Sequence, residues 1–264
     1  MPDLLIDKSE GVLTLTMNRP EAKNALTGEM LEGLCAEMRG AEKDPEIGAI
    51  LITGTGRAFC AGGDVKGFAA EGGANRGMGP EDAAGRLRSS MEVSRLLHEI
   101  PKPTIAAIPG AAAGAGLSIA LACDMRIAAE GAKFTTAFTK VGLSGDFGGS
   151  WFLTRLVGTA KARELYYLSD IILAEEAERI GIVNRVVSPE ALADEARTLA
   201  LRLANGPRVA LGFMKRNLTL AETEPLGRAL DQEALNHSRT AVTEDHREAA
   251  KAFVEKRAPV FKGW

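Results

Sequence analysis

Two short stretches of this chain are built to point backbone N–H groups at a ligand. In one, the apolar residues 105–108 run through a Pro-Gly and small-residue segment, 109–114, straight into the apolar, helix-forming run AGLSIALA at 115–122. In the other, the apolar residues 47–53 lead through GTGR into FCAGGDVK at 59–66. The start of a helix leaves its first amides without acceptors and carries a partial positive charge, so it receives a phosphate, a carboxylate or a developing oxyanion. Two such turns facing one point would make a two-amide oxyanion hole.

The elements that must carry these turns follow from periodicity. Residues 11–18 alternate as a strand, and NRPEAKNAL then turns into an amphipathic helix over 27–43. Strands are expected at 47–53, after a stop at Pro45, and at 104–108 and 125–129. Residues 69–85 read as a mobile Gly-rich loop able to act as a lid, and 86–100 as one helix ended by PKP. From Gly148 onward the pattern is almost wholly helical: GGSWFLTRLVG, KARELYYLSD, 174–180, 189–204 and long helices through Arg257. The expected class is α/β with a layered or spiral sheet, followed by a helical C-terminal region.

Composition narrows the ligand. The 264 residues suffice for one large domain or two modest ones with a real core. A net charge of -3 and a pI near 5.8 give no general attraction to nucleic acid or to an anionic membrane, so a small-molecule partner is expected. Cys35, Cys60 and Cys123 form no CxxC pair, and His98, His237 and His246 do not group with them, which argues against a metal site or a disulfide framework. The opening MPDLLIDKSEG carries acids, and no window reaches the ~18 apolar residues of a membrane helix, so a cytoplasmic location is the expectation.

The segments NRPEAKNAL, ILITG, AFCAGGDVK, PTIAAIPGAAAGAGLSIALACDMRIA, GLSGDFGGSWFLTRLVG and FVEKRAPVFKG together carry a family pattern. Over essentially its full length the chain resembles the enoyl-CoA hydratase/isomerase, or crotonase, superfamily. The resemblance implies a spiral of β-β-α units over 1–200 and a helical trimerisation region over 201–264, assembled as a homotrimer or homohexamer. It implies an acyl-CoA thioester ligand and no further cofactor, coenzyme A being part of the substrate. Carried over by position, the amides of Gly63 and Ala115 form the oxyanion hole and the Ala61 carbonyl meets the adenine. Lys23, Lys66 and, from a neighbouring subunit, Phe253 and Lys256 flank the nucleotide. Asp64 falls beside the same site, either toward the substrate or as a cap for the next turn.

The chain departs from the hydratase pattern where it matters most. Hydratases of this family use two glutamates to hold and activate a water; the matching positions here are Ser118 and Phe138, neither of which is a carboxylate. A different acid, Asp146, stands where ring-epoxide isomerases of phenylacetate degradation and 4-chlorobenzoyl-CoA dehalogenases carry a catalytic aspartate. The dehalogenase pattern also needs a tryptophan at 138 and a histidine near 91, both missing. Asp146 has a second reading as a helix N-cap for GGSWFLTRLVG, worth about 1 kcal/mol without chemistry. Ser118 either bonds its own backbone or touches the acyl chain. The expectation is an isomerase shuttling a proton on an enoyl-CoA or ring-epoxide thioester, with enoyl-CoA hydratase as the alternative. More remote is a non-catalytic acyl-CoA or RNA binder, for which Arg86, Arg88 and Arg95 offer only a thin basic stripe.

Overall fold

The computed structural model describes residues 2–65, 67 and 77–264. Three times in succession the chain lays one strand in a large sheet and the next, after two or three residues, in a small one. The pairs are β3 (Ala49–Gly54) with β4 (Ala58–Cys60), β5 (Thr104–Ile108) with β6 (Ala111–Ala113), and β7 (Met125–Ala129) with β8 (Lys133–Thr135). Each pair is followed by helix, which is the expected spiral of β-β-α units. With β1 (Leu4–Ser9), β2 (Val12–Met17), β9 (Ile172–Leu173) and β10 (Arg185–Val187), the sheets have the orders β1-β2-β3-β5-β7-β10 and β4-β6-β8-β9. Pairing is parallel except for β1 with β2 and β8 with β9.

The large sheet is buried on both faces. Leu13, Leu15 and Met17 of β2 point into the main core with Met30, Leu34 and Met38 of α1 (Gly28–Lys43). Val12, Leu51 and Ile105 face the other way, against Ala196, Ala200 and Ala204 of α7 (Leu192–Ala204), whose small residues let the helix lie close to the strands. α1 starts where the sequence says: Thr27 accepts a hydrogen bond from the Met30 amide at 3.1 Å, and Lys43 sits in the last turn.

Several expectations are corrected. β1 carries no alternating pattern because most of its side chains are exposed at the sheet edge. The strands of the small sheet have two or three residues each, too few to show a period. The expected loop over 69–85 is helical from Pro80, since α2 (Pro80–Ser90) opens with proline and has Glu81 and Asp82 in its first turn. Residues 69–76 of that expected loop lie outside the described residues. The single helix expected over 86–100 is divided at Met91 between α2 and α3 (Glu92–Glu99). Beyond Gly148, β9 and β10 interrupt the helices to close the edges of the two sheets, around α6 (Ala174–Arg179).

The last three helices, α8 (Arg208–Ala221), α9 (Leu226–Thr240) and α10 (Glu244–Glu255), extend from this core. α8 is pinned to it by Lys215, 7% exposed, whose Nζ donates to the Leu97 carbonyl and to Asp124 Oδ2, each at 2.8 Å. The same carboxylate oxygen accepts from the Thr104 amide at 2.7 Å. Burial pulls the Lys215 pKa down while Asp124 opposes it.

Candidate active site

β4 and β6 run side by side, Ala58 opposite Ala111 and Cys60 opposite Ala112, so the two glycine turns leave their strands together. α4 (Ala115–Ala122) begins directly beyond β6, and the chain after β4 lies against its first turn. That approach requires glycine at two places. A Cβ on Gly116 would stand 2.3 Å from the Cys60 carbonyl, and one on Gly62 (φ +86) would stand 2.8 Å from the Ala113 carbonyl and 3.2 Å from the Ala115 nitrogen. Ala115 is the first helical residue, so the helix offers its amide no acceptor. Leu26 bridges to Gly63 by donating its own amide to the Gly62 carbonyl at 2.8 Å. Among the described residues, neither the Gly63 nor the Ala115 amide donates to a turn or cap acceptor.

The segment that carries Asp146 packs against α4. α5 (Gly149–Leu168) is broken at Gly158 (φ 77, ψ 165), which turns the second half back on the first. Tyr166 therefore returns to the helix start: a Cβ on Gly149 would lie 2.5 Å from the Tyr166 hydroxyl and 2.3 Å from Ser118 Oγ. Phe138, buried, stacks on Tyr166 with ring centroids 5.8 Å apart at 15° and its ring edge against Gly114. Ser118, buried on α4, returns its hydroxyl to the Gly114 carbonyl at 3.2 Å. This is the back-bonding reading of that serine, and its oxygen still has acceptor capacity.

Asp146 does not cap α5. The N-cap is Gly148 (φ 76), with no side-chain cap hydrogen bond, and Asp146 contributes only its carbonyl, which accepts from the Gly149 amide at 3.1 Å. The left-handed turn at Phe147 (φ 48) and Gly148 directs the carboxylate away from the free helix amides, so the N-cap reading falls. Instead Oδ1 is buried with no hydrogen-bond partner, and burial pushes the carboxyl from its ordinary 3.8 up to about 6. The Tyr166 phenol is also held above its ordinary value, by burial first and by the Asp146 charge second. A carboxylate poised near neutrality is equipped to take and return a proton. Cysteine nucleophiles are not: burial raises Cys60 and Cys123 to about 12.

The opposite end gathers Lys23 and Ala61, whose amide donates to the Lys23 carbonyl at 3.0 Å. The NRPEAKNAL motif is what holds them together: Asn24, fully buried, donates through Nδ2 to the carbonyls of Thr55 and Ala58, at 3.0 and 2.8 Å, and accepts from the Arg19 amide. Asp64 accepts from the Gly67 amide at 3.0 Å and faces Arg19 Nη2 at 3.7 Å, the capping arrangement. Lys66 lies outside the described residues. Phe253 (86% exposed) and Lys256, at the end of α10, project from the C-terminal helices, and no described contact brings them to this chain's own site. Sequence reasoning missed Tyr166. Its signal was weak, one of two adjacent tyrosines in a helical run, and only the break at Gly158 gives it a role. Among the described residues, no three His, Cys, Asp or Glu side chains are grouped to hold a metal ion, and no helix is long and apolar enough to cross a membrane.

Known proteins are similar to this chain over essentially its whole length. Residues 7–264 match the enoyl-CoA hydratase/isomerase family. A 1,2-epoxyphenylacetyl-CoA isomerase of Escherichia coli K12 is 40% identical over 268 residues, covering 100% of this chain and 99% of its own. A crotonyl-CoA hydratase of Syntrophomonas wolfei is 34% identical, with 98% and 97% covered. The crystal structure of an enoyl-CoA hydratase from Polaromonas sp. JS666 superposes with a TM-score of 0.92 at 36% identity, over 98% of this chain and 99% of that one. With its spiral fold and paired glycine turns, the chain belongs to the enoyl-CoA hydratase/isomerase family, of the crotonase superfamily.

Proposed function

We propose that this enzyme is an acyl-CoA isomerase that shuttles a proton on an enoyl-CoA or ring-epoxide thioester. The observation that carries the reading is Asp146: a carboxylate with one buried, unpartnered oxygen and a pKa raised to about 6, on the segment that packs through Gly149 against Ser118 of α4. For a 3-enoyl thioester, Asp146 removes a proton from C2, the Gly63 and Ala115 amides hold the enolate oxygen as charge develops, and the same acid returns the proton to C4. The double bond moves from 3,4 to 2,3, and neither water nor a further cofactor is consumed. Ala61 and Lys23, with Lys66, receive the adenine and phosphates. The 40% identity to an epoxyphenylacetyl-CoA isomerase supports this reading.

Hydratase names among the relatives favour the second reading, enoyl-CoA hydration. Against it stand Ser118 and Phe138: the phenyl ring beside Gly114 excludes the water that two glutamates would hold. Steady-state rates decide. Isomerisation of 3-hexenoyl-CoA should exceed hydration of crotonyl-CoA at least about tenfold, and equal rates would reject the isomerase reading. Restoring glutamates, Ser118→Glu with Phe138→Glu, should raise hydration of crotonyl-CoA while isomerisation falls. The gain will be limited, because two buried like charges raise at least one pKa and Phe138 is lost from its stack on Tyr166. An RNA-binding role is disfavoured because Arg88 and Arg95 are ion-paired to Glu92, and Arg95 also to Glu99.

The C-terminal helices support assembly. Leu218, Leu226, Val242, Phe253 and Val254 stand between 69% and 86% exposed, an apolar surface that a homotrimer would cover. In that trimer or its hexamer, Phe253 and Lys256 complete a neighbour's nucleotide site. Lys256→Ala should weaken coenzyme A binding about tenfold by removing one charge-assisted contact. Sedimentation showing a monomer with undiminished affinity would refute the shared site. Buried, unpaired Cys35, Cys60 and Cys123 fit a reducing, cytoplasmic setting.

A further inference from the structure

Tyr166 is the polar side chain at this site that the proton shuttle leaves unused. Its hydroxyl sits between the two elements that bracket the reacting carbons: Ser118 on α4, whose first amide belongs to the oxyanion turn, and the Gly145–Gly149 segment that carries Asp146. On one edge its ring meets the Gly145 position, where a Cβ would stand 3.1 Å from Tyr166 Cε1. On its face lies Phe138, which prevents the ring from swinging aside. A Cβ on Gly149 would meet the hydroxyl at 2.5 Å, so only glycine there lets the hydroxyl lie against the start of α5 beside Ser118. Among the described residues no group accepts its proton.

We propose that Tyr166 is a specificity-determining residue: its phenol donates a hydrogen bond to an oxygen borne by the acyl group near the carbon facing Asp146, so that oxygenated acyl thioesters are preferred to hydrocarbon ones. The inference rests on the acyl-CoA reading of the site. Burial and the Asp146 charge keep the phenol protonated, so at neutral pH it donates. A hydrocarbon acyl group would leave this partly buried donor and the Ser118 lone pairs without partners, whereas an acyl oxygen satisfies them. Sites built to hydrogen-bond a substrate discriminate strongly against analogues lacking the partner atom.

Two unreactive probes that differ by one oxygen test this, phenylacetyl-CoA and (2-hydroxyphenyl)acetyl-CoA, with binding measured by calorimetry on the wild type and on Tyr166→Phe. The wild type should bind the hydroxylated probe about tenfold more tightly, the worth of one hydrogen bond, and the variant should bind both equally. Phenylacetyl-CoA affinity should stay unchanged in the variant. A preference that survives Tyr166→Phe, or a wild type without one, overturns the proposal. An equal loss of both probes in the variant overturns it too, because Tyr166 would then only support the pocket. Since no turnover is involved, failure of the isomerase reading in the rate assays is seen separately from failure here.

Discussion

Asp146→Asn is expected to lower isomerisation by about 10³- to 10⁴-fold, near the upper end of what general acid–base catalysis supplies, because no other carboxylate of the described site can accept the proton. Coenzyme A affinity should hardly change. In the wild type, kcat/KM should rise as pH increases through about 6, where the free enzyme's carboxyl ionises, and level off above it. The stability consequence has a definite sign. A carboxyl raised from 3.8 to about 6 by burial favours the folded state less once ionised, so the wild type loses stability between those values and does not regain it at higher pH. Asp146→Asn should thus be at least as stable as wild type above pH 6 and gain nothing at pH 3. Asp146→Ala should lack the ~1 kcal/mol penalty of a lost N-cap, since Gly148 occupies that position. Denaturant titrations at the two pH values check all three statements. Full turnover by the Asn variant would locate the proton shuttle elsewhere.

Ala115→Pro should cost about 10²- to 10³-fold in kcat/KM, the usual loss when one oxyanion donor is removed. The substitution deletes one N–H at a position where proline is structurally tolerated. Ala115 opens α4, its amide has no helical acceptor, and the fixed φ of proline suits the first helical residue. Gly114 before it (φ 53, ψ -126) has a mirror-image extended conformation that a following proline allows. Circular dichroism and melting temperature should remain close to wild type while activity falls. The ring also enters the space meant for the thioester oxygen, which adds to the loss. A Pro variant that isomerises at the wild-type rate would show that the Ala115 amide does not touch the developing charge.

Much of this molecule was legible because its signals are local. The turn glycines, the start of α1 near residue 27, the apolar strands 104–108 and 125–129 and the all-apolar α4 each follow from a few neighbouring residues, and the family pattern linked them into a spiral. The strands of two or three residues in the small sheet were not legible, because their conformation is imposed by pairing with the preceding turn of the spiral rather than by their own side chains. Edge strand β1 was silent for the opposite reason: with little buried, selection for alternation is weak.

The site divides along the same line. By itself the sequence determined which chemistry was on offer: two Gly-rich turns able to present amides, one acid at 146, and no glutamate at 118 or 138. Only the tertiary structure removed the cap reading of Asp146, since Gly148 takes the N-cap position and the Asp146 side chain makes no cap hydrogen bond, which leaves the base as our proposal. It also decided that Tyr166 belongs to the site. Its hydroxyl comes back to Gly149 because Gly158 folds one half of α5 onto the other, and a reversal of that kind sums contacts over the whole packed core, which no window of sequence contains.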